Sequence, residues 1–294
     1  MNFHINDITL YMACPLWYHF KKTITPTDPN VRRIISRAVK TTLLWFFGRQ
    51  HELAMGNVDL RDLAYVWETY VTEHLSGLIE AERLTKLYAK KYSRYLLTKR
   101  STKTVQRISD EELEILKETA WGWNVVYNIY DRYNVSNRMK LPKLRITEVA
   151  VPYKVGIGDD SITGDIDLVF LMDNEKGNKR YYISKIWTKK KPPLEFQVAT
   201  DITLTMMAYA HRLSVKMKET RIRFFDVVHD TFIDTTRDGL DFKMALNNII
   251  PRVITEIKNN KPYPRWGFWC ALMCDFQDYC IKHKQKLLLP EKSN

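Results

Sequence analysis

Apolar side chains recur every three or four positions through the first 140 residues of the chain. Ile35, Val39 and Leu43, for example, follow this spacing. A period near 3.6 places such side chains on one face of an α-helix. The same pattern predicts helices at residues 6–22, 31–47, 60–77, 79–99 and 110–133. The first part of the chain is therefore predicted to be mainly helical.

After residue 140 the pattern changes to segments rich in β-branched and aromatic residues. Three such segments are separated by GIGDD and DNEKGN, whose residues favour tight turns. They predict a three-stranded antiparallel meander, followed by a helix, a fourth strand and a last helix. The predicted strands cover residues 146–155, 161–172, 180–187 and 222–230, and the helices cover residues 197–216 and 240–258.

The order of these elements predicts an α/β (α+β) fold with a mixed central sheet flanked by helices. The expected organisation is a large, mainly helical part (residues 1–140), an α/β core (141–260) and a cysteine-rich tail (261–294) packed against the N-terminal segment. We expect the three parts to form one compact unit. A chain of 294 residues is long enough to bury a core of this kind.

The positions of the four cysteines indicate that distant parts of the chain meet. Cys14 lies near the beginning, whereas Cys270, Cys274 and Cys280 lie close together in WCALMCDFQDYC. This grouping is expected if both regions fold onto one centre. Four thiolates around one centre suit a cubane iron–sulfur cluster or a zinc ion. The cysteines are therefore predicted to bind metal.

The chain has no sequence feature that predicts contact with a membrane. No apolar stretch approaches the roughly 18–20 residues of a membrane span. The opening MNFHINDITL lacks the basic-then-apolar pattern of a secretory signal. We therefore expect a cytoplasmic protein, in the host cytoplasm if the protein is viral. In that reducing compartment, clustered cysteines bind metal more often than they form disulfides.

The formal net charge of +12 favours a polyanionic partner, most often nucleic acid. Two basic stretches are candidate contacts, and the first also contains tyrosines whose rings can stack on unpaired bases. The alternatives are a solvated helix face for the first stretch and a solubilising loop for the second. The candidate residues are Lys90, Lys91, Arg94, Lys99, Arg100 and Lys103 in the first stretch, and Lys189, Lys190 and Lys191 in the second.

Three motifs follow one another along the chain. They are ITLYMACPLWYHF around Cys14, then ITGDIDLVF, then the late cysteine cluster. In this order, and with strands between them, the motifs resemble the RecB-like iron–sulfur branch of the PD-(D/E)XK nuclease superfamily. That branch includes the CRISPR-associated RecB-like exonucleases and the AddB helicase-nuclease subunits. The resemblance implies a restriction-endonuclease-like core and a 4Fe–4S cluster held by the four cysteines, with zinc as the alternative. The Cys-x3-Cys-x5-Cys spacing departs from the family, whose first gap is usually two residues.

The resemblance also implies a catalytic site that holds Mg²⁺ or Mn²⁺ with carboxylates. Glu148 occupies the place of the first family carboxylate, and Asp167 that of the central aspartate. Lys185 and Trp187 occupy the places of the second carboxylate and the lysine, and Lys40 that of a metal-binding histidine. A lysine ammonium has no lone pair with which to ligate a cation. The family's Gln-x-x-x-Tyr glutamine is also missing, with Thr203 and Thr205 in that region. We therefore expect that metal-dependent cleavage has been lost.

Two roles are open for the lysines at the former metal site. Lys40 and Lys185 would pair either with Glu148 and Asp167 or with a nucleic-acid phosphate. The expected function is that of a DNA-binding subunit in replication, recombination, repair or a viral process. Its DNA partner would be single-stranded or have single-stranded ends, and its protein partner would be a helicase, replication or recombination protein.

Two other functions compete with DNA binding alone. The first is an active exonuclease or single-strand endonuclease whose ligands have moved to nearby acids, for which Asp165, Glu195 and Asp201 are candidates. Asp165 and Asp167 lie two positions apart on a predicted strand, so they share a face and can bind one cation together. The second is a pseudo-nuclease that acts only as a protein-interaction scaffold.

Overall fold

A computed structural model of the chain shows a mixed seven-stranded sheet flanked by helices. The coarse prediction of a mixed α/β protein is confirmed. The predicted helix at residues 79–99, and with it the first basic stretch, lies outside the described residues. The structure describes residues 1–24, 30–53, 56–75, 110–134, 144–173, 179–215, 220–259, 262–265, 276 and 279–280.

The chain opens with a short strand and two helices rather than the single predicted helix. These elements are β1 (Asn2–His4), α1 (Ile5–Ala13) and α2 (Pro15–Thr23). The break falls at Cys14, whose backbone is extended with φ −161° and ψ 113°. A proline disfavours helical geometry in the residue before it, and Pro15 instead begins the second helix. The break presents the Cys14 thiol at a helix junction.

Three helices form one layer of the structure: α3 (Val31–Glu52), α4 (Leu60–Leu75) and α5 (Asp110–Tyr133). The α3 helix starts at Asn30, whose side chain accepts a hydrogen bond from the Arg33 N–H. The three helices bury their apolar stripes in one cluster with the sheet, in which Trp67 and Phe46 are fully buried. All three predicted helices in this part are confirmed within a few residues.

The predicted meander is present as three antiparallel strands. They are β2 (Leu144–Ile157), β3 (Asp160–Asp173) and β4 (Lys179–Ser184). A two-residue turn joins β2 to β3, and its Gly158 has φ +59°, a conformation that glycine adopts without strain. The turn residues in the sequence therefore predicted this hairpin correctly.

The predicted strand at 180–187 is broken at Lys185. Its end forms a separate two-residue strand, β5 (Ile186–Trp187), which pairs with β6 (Thr220–Asp226). An edge strand that was not predicted, β7 (Thr231–Arg237), pairs antiparallel with β6. Thr231, Asp234 and Thr235 give β7 a polar sequence with little apolar alternation, so its period-two signal is weak.

Strand pairing in the sheet is mixed. The strand β3 pairs antiparallel with β2 along its length, parallel with β1 near its start and antiparallel with β4 near its end. The strand β4 then pairs parallel with β6. The short β1 therefore extends the sheet beside the start of β3.

On the other side of the sheet, two helices that were predicted to be continuous are divided. The predicted helix at 197–216 is split by Asp201 into α6 (Glu195–Ala199) and α7 (Ile202–Val215). The predicted helix at 240–258 is α8 (Gly239–Lys243), a π-helical turn (Met244–Ile249) and α9 (Ile250–Lys258). Pro251, which has no N–H to donate, lies in the first turn of α9.

The core lies on both sides of the sheet. One cluster joins α3, α4 and α5 to the sheet, and two others join α1, α7 and α9 to its opposite side. The sheet is therefore the middle layer of three. Within the described ranges, every helix is too short or too polar to cross a membrane.

Candidate functional site

An ion pair between Lys40 of α3 and Asp167 of β3 lies at the centre of the candidate site. The Lys40 Nζ is 2.7 Å from Asp167 Oδ1. The other carboxylate oxygen, Oδ2, accepts the Ile186 N–H at 2.9 Å. The Asp167 side chain is 5% exposed, whereas that of Lys40 is 37% exposed. Both oxygens of the buried carboxylate therefore already have partners.

The bond from Ile186 explains why the predicted strand is broken. Beyond Ser184, which is still paired with Leu168, the chain leaves β3 and turns towards β6. The Asp167 side chain accepts the N–H that becomes available at this point. A buried N–H needs a partner, so the carboxylate stabilises the change of strand. The aspartate is a structural part of the sheet as well as a charged group.

A second ion pair joins Lys185 to Asp201, with Nζ 2.7 Å from Oδ2. Asp201 also caps α7, because its Oδ1 accepts the N–H groups of Thr203 and Leu204. Burial alone would raise the pKa of Asp201. Lys185 and the two N–H groups outweigh that effect, and the pKa of this carboxyl lies below its usual range. Lys185 thus pairs with an acid that sequence reasoning had considered only as a relocated ligand.

Glu148 is exposed and takes no part in either ion pair. Its negative charge instead acts on His211 of α7, a side chain that is buried to 4% exposure. Neither ring nitrogen of His211 has a hydrogen-bond partner among the described residues. Burial lowers the pKa of His211, and the Glu148 charge opposes that effect. Glu148 therefore interacts with His211 and not with the Lys40–Asp167 pair.

Three acids act on the hydroxyl of Tyr153, which is buried and has no partner in the described part of the chain. Burial raises the pKa of Tyr153, and the charges of Asp165, Asp167 and Asp201 raise it further. Gly164 makes room for this hydroxyl, because a Cβ there would lie 2.6 Å from the Tyr153 oxygen. The glycine of the Gly-x-x-Asp motif therefore has a steric role beside the acids.

The second basic stretch folds beside the two ion pairs, and its three lysines differ in their contacts. Lys189 Nζ lies 4.5 Å from the centre of the Trp187 ring. Lys190 Nζ is 2.7 Å from an oxygen of Glu118, a buried acid on α5. All three lysines are exposed, and Lys191 has no ion pair among the described residues. The stretch is therefore a loop anchored at Lys190.

Glu118 was not singled out from the sequence, although it anchors this loop. One of its oxygens accepts from Lys190 and lies 3.4 Å from Arg32 Nε, while the other has no described partner. Glu118 is one of several acids on an amphipathic helix, so no local pattern distinguishes it. Its importance comes from the loop that meets it from elsewhere in the chain.

The remaining candidates do not join this site. Glu195 is exposed in the first turn of α6. Thr205 accepts a hydrogen bond from the buried Arg237 at 2.9 Å, and thereby connects α7 to β7. The first basic stretch cannot be placed, because it lies outside the described residues: Lys90, Lys91, Arg94, Lys99, Arg100 and Lys103.

The two described cysteines, Cys14 and Cys280, lie in one aromatic cluster. Both cysteines are half-buried, and both pack against a core formed by α2 and Phe276. The Arg265 N–H lies 3.4 Å from the Cys14 sulfur. The described part of the tail therefore contacts the α1–α2 junction. Cys270 and Cys274 lie outside the described residues.

The thiol donors fit a metal cluster chemically, since cysteine sulfur ligates both iron–sulfur clusters and zinc. Two of the four proposed ligands meet in one cluster of side chains, as such a site requires. Among the residues that the structure describes, no group of three or more histidine, cysteine or acidic side chains is arranged to hold a metal ion. Two of the four cysteines, Cys14 and Cys280, lie among those residues.

Comparisons with known proteins give little beyond the structure itself. No family model matches the chain, and no curated protein matches it. Among solved structures, the chain is similar to the crystal structure of SSO0001, with 15% sequence identity and a TM-score of 0.27. The matched part covers 76% of this chain and 93% of that chain. A likeness this distant carries no argument about fold or activity.

Proposed function

We propose that this chain is a DNA-binding protein with a restriction-endonuclease-like, RecB-type core that has lost metal-dependent cleavage. The observation that carries the proposal is the contact between Lys40 and Asp167 at 2.7 Å. In the family that the sequence resembles, the aspartate at this place binds a divalent cation. Here a lysine ammonium supplies the positive charge next to it.

The loss of cleavage follows from the ligands that such a cation needs. Mg²⁺ and Mn²⁺ require several oxygen ligands, and Mg²⁺ requires them in near-octahedral geometry. Asp167 gives one oxygen to Lys40 and the other to the Ile186 N–H. Asp201 is likewise bound to Lys185 and to the start of α7. A cation would have to displace Lys40 and Lys185 before it could bind the carboxylates of Asp167 and Asp201.

Binding to DNA is supported by the charge next to these pairs. The net charge is +12. The loop that holds Lys189, Lys190 and Lys191 lies beside the candidate site, where the charge of Lys189 acts with those of Lys185 and Asp201. Lysines that neutralise phosphates release counterions, which makes the affinity depend on salt. Lys189 lies over the Trp187 ring and Lys190 pairs with Glu118, so Lys191 is the loop lysine best placed to contact a phosphate.

A single set of measurements tests both parts of the proposal. The affinity for a labelled single-stranded oligonucleotide is measured by fluorescence anisotropy at several salt concentrations, and the strand is then examined after incubation with Mg²⁺ or Mn²⁺. We expect salt-sensitive binding and an intact strand. Lys191→Glu should weaken binding and reduce the slope of log affinity against log salt by about one or more. Lys243→Glu, the same charge change on α8, is the matched control.

The other outcomes identify the competing functions. Mn²⁺-dependent degradation that disappears in Asp167→Asn would show an active nuclease with relocated ligands, and would overturn the proposed loss of cleavage. Absence of both binding and degradation, together with stable co-purification of a partner protein, would favour the interaction scaffold. Equal effects of Lys191→Glu and Lys243→Glu would remove the basic loop from the binding surface.

A further inference from the structure

A cavity of about 360 Å³ lies between α1, α9 and the segment 262–265. Its wall has an apolar part formed by Met12, Ile249 and Val253. Its polar part consists of Tyr11, Arg252, Glu256, Tyr263 and Arg265. The volume lies within the usual range for small-molecule sites, about 300–1,000 Å³. The cavity shares no residue with the Lys40–Asp167 site, and the inference below does not rest on the proposed function.

The hydroxyl of Tyr11 is the polar group that points to a ligand. Tyr11 is 3% exposed, and its hydroxyl is buried without a hydrogen-bond partner among the described residues. Burial raises the pKa of Tyr11, the charge of Glu256 raises it further, and Arg265 opposes both. These interactions place the hydroxyl beside other groups that line the cavity. A buried hydroxyl without a partner costs stability, so its retention favours a role in binding.

The backbone next to the cavity is a second, independent indication. The π-helical turn Met244–Ile249 leads into α9, and the Ile250 N–H donates to Ala245 five residues earlier. Single π-helical turns are rare and occur frequently at functional sites. Here the turn carries Ile249 into the cavity wall, and α9 then presents Arg252 and Glu256 on its next turns.

The charged groups define what the cavity can bind. The Arg252 side chain is 82% exposed, and its ion-pair partner among the described residues is Glu256, at 3.2 Å on the surface of α9. Such an exposed pair is weak, so the guanidinium can turn to an incoming anion. A guanidinium binds phosphate with two parallel hydrogen bonds. The exposed ring of Tyr263 beside the apolar wall suits a flat aromatic group.

We infer that this cavity binds a nucleoside monophosphate, either as a free nucleotide or as the terminal nucleotide of a strand. The phosphate contacts Arg252, and the base lies against the Tyr263 ring and the apolar wall. The Tyr11 hydroxyl donates to an acceptor of the ligand, and the Glu256 carboxylate accepts from a base amino group or a sugar hydroxyl. Arg265 keeps its bonds to Met12 and Tyr263, which hold the covering segment in place.

The experiment measures binding of adenosine monophosphate to the full chain by isothermal titration calorimetry, with adenosine and inorganic phosphate as separate probes. We expect saturable binding of the nucleotide that exceeds the binding of either part alone. Arg252→Ala should weaken it at least about tenfold, and Tyr11→Phe about fivefold, as expected for a charged and a neutral hydrogen bond. Arg61→Ala and Tyr65→Phe, on the surface of α4, are matched controls that should change nothing.

Folding of each variant is checked by thermal unfolding, and Arg252→Lys provides a second test because it keeps the charge but loses the two-pronged contact. An oligonucleotide with a 5′-phosphate that competes better than the free nucleotide supports a strand end as the ligand, and weaker competition supports the free nucleotide. No saturable binding of the nucleotide overturns the inference. Equal binding by the wild type, Arg252→Ala and Tyr11→Phe, or phosphate binding as tight as nucleotide binding, also overturns it.

Discussion

Among individual residues, Lys40 and Asp167 form the contact that most constrains the chemistry of the chain. A buried carboxylate loses its hydration, and that loss must be offset by a cation or by hydrogen-bond donors. Asp167 has one of each, in Lys40 and the Ile186 N–H. The pair therefore contributes to the stability of the sheet, whatever it does for ligand binding.

Replacing Lys40 with methionine should lower the free energy of unfolding by about 1–3 kcal/mol, because it leaves Asp167 buried with one partner fewer. Urea denaturation measures this change. Lys22→Met is the matched control, since it removes the more exposed Lys22–Asp7 pair and should cost at most about 1 kcal/mol. Adding Asp167→Asn to Lys40→Met should recover part of the loss. Equal costs for the two lysine variants would contradict this assignment.

The Lys185–Asp201 pair predicts a dependence of stability on acid. The pKa of Asp201 in the folded chain lies below its ordinary value of 3.8, so the unfolded chain binds the proton more readily. The stabilisation is therefore complete above about pH 5, and it is lost as the pH falls below about 4 and through the folded-state pKa. Asp201→Asn keeps a good helix cap but removes the charge.

The measurement compares urea denaturation of the wild type and Asp201→Asn between pH 3 and pH 6. We expect the wild type to be more stable at pH 6, and the difference to shrink towards pH 3. A difference that is constant across this range would show that Asp201 acts only as a cap. Asp234→Asn, which removes an exposed pair with Arg223, serves as the control for loss of one surface carboxylate.

Sequence reasoning identified Asp167 and Lys40 as residues of one site, because the resemblance places both at metal-ligand positions. It offered Glu148, Asp167 or a nucleic-acid phosphate as the partner of Lys185, whereas the structure pairs Lys185 with Asp201. That choice depends on where the chain turns between β5 and α7. No local pattern carries this information, since it is set by tertiary packing.

Among the elements, the crossing of α5 with α3 and α4 depends on a glycine. A Cβ on Gly122 would lie 2.5 Å from a methyl group of Ile35 and 2.7 Å from the Trp67 ring. We expect Gly122→Ala to destabilise the chain by about 1–3 kcal/mol, as overpacking does, although alanine is the better helix former by about 1 kcal/mol.

The matched control is Gly48→Ala in α3, where a Cβ would have no atom within 4 Å. This variant should be stabilised by about 0.5–1 kcal/mol, because only the helix preference changes. Thermal or urea unfolding of both variants gives the comparison. Stabilisation of Gly122→Ala as well would show that the three helices separate easily, and would contradict the close crossing.

Elements were predicted well where one local signal defines them. The β2–β3 hairpin follows from its turn residues, and α3 from its apolar spacing. The breaks at Lys185 and Asp201 were missed, because each is stabilised by side-chain bonds that no periodicity shows. The break at Cys14 has a local signal in Pro15, which reasoning from the apolar pattern alone passed over.

At the scale of the whole molecule, the main prediction is that the four cysteines bind one metal centre and so join distant parts of the chain. We expect the protein, purified without oxygen, to show the broad visible absorption of a 4Fe–4S cluster, with about four irons per chain. Cys14→Ala should lose that absorption and unfold at a lower temperature, because ligand binding contributes to folding. A colourless protein with one zinc per chain would establish the alternative, and a protein without bound metal would contradict both.

The pairing of β1 with β3 also determines the order in which the molecule assembles. Asn2 and Phe3 pair with Ser161 and Ile162, so this strand has no neighbour until the distant hairpin has formed. Contacts between residues so far apart in sequence form slowly, because the chain between them loses conformational entropy before the contact can stabilise it. Because α1 follows β1 directly, we expect Cys14 to reach its final place late in folding. Loading of a metal would then follow completion of the sheet instead of guiding it.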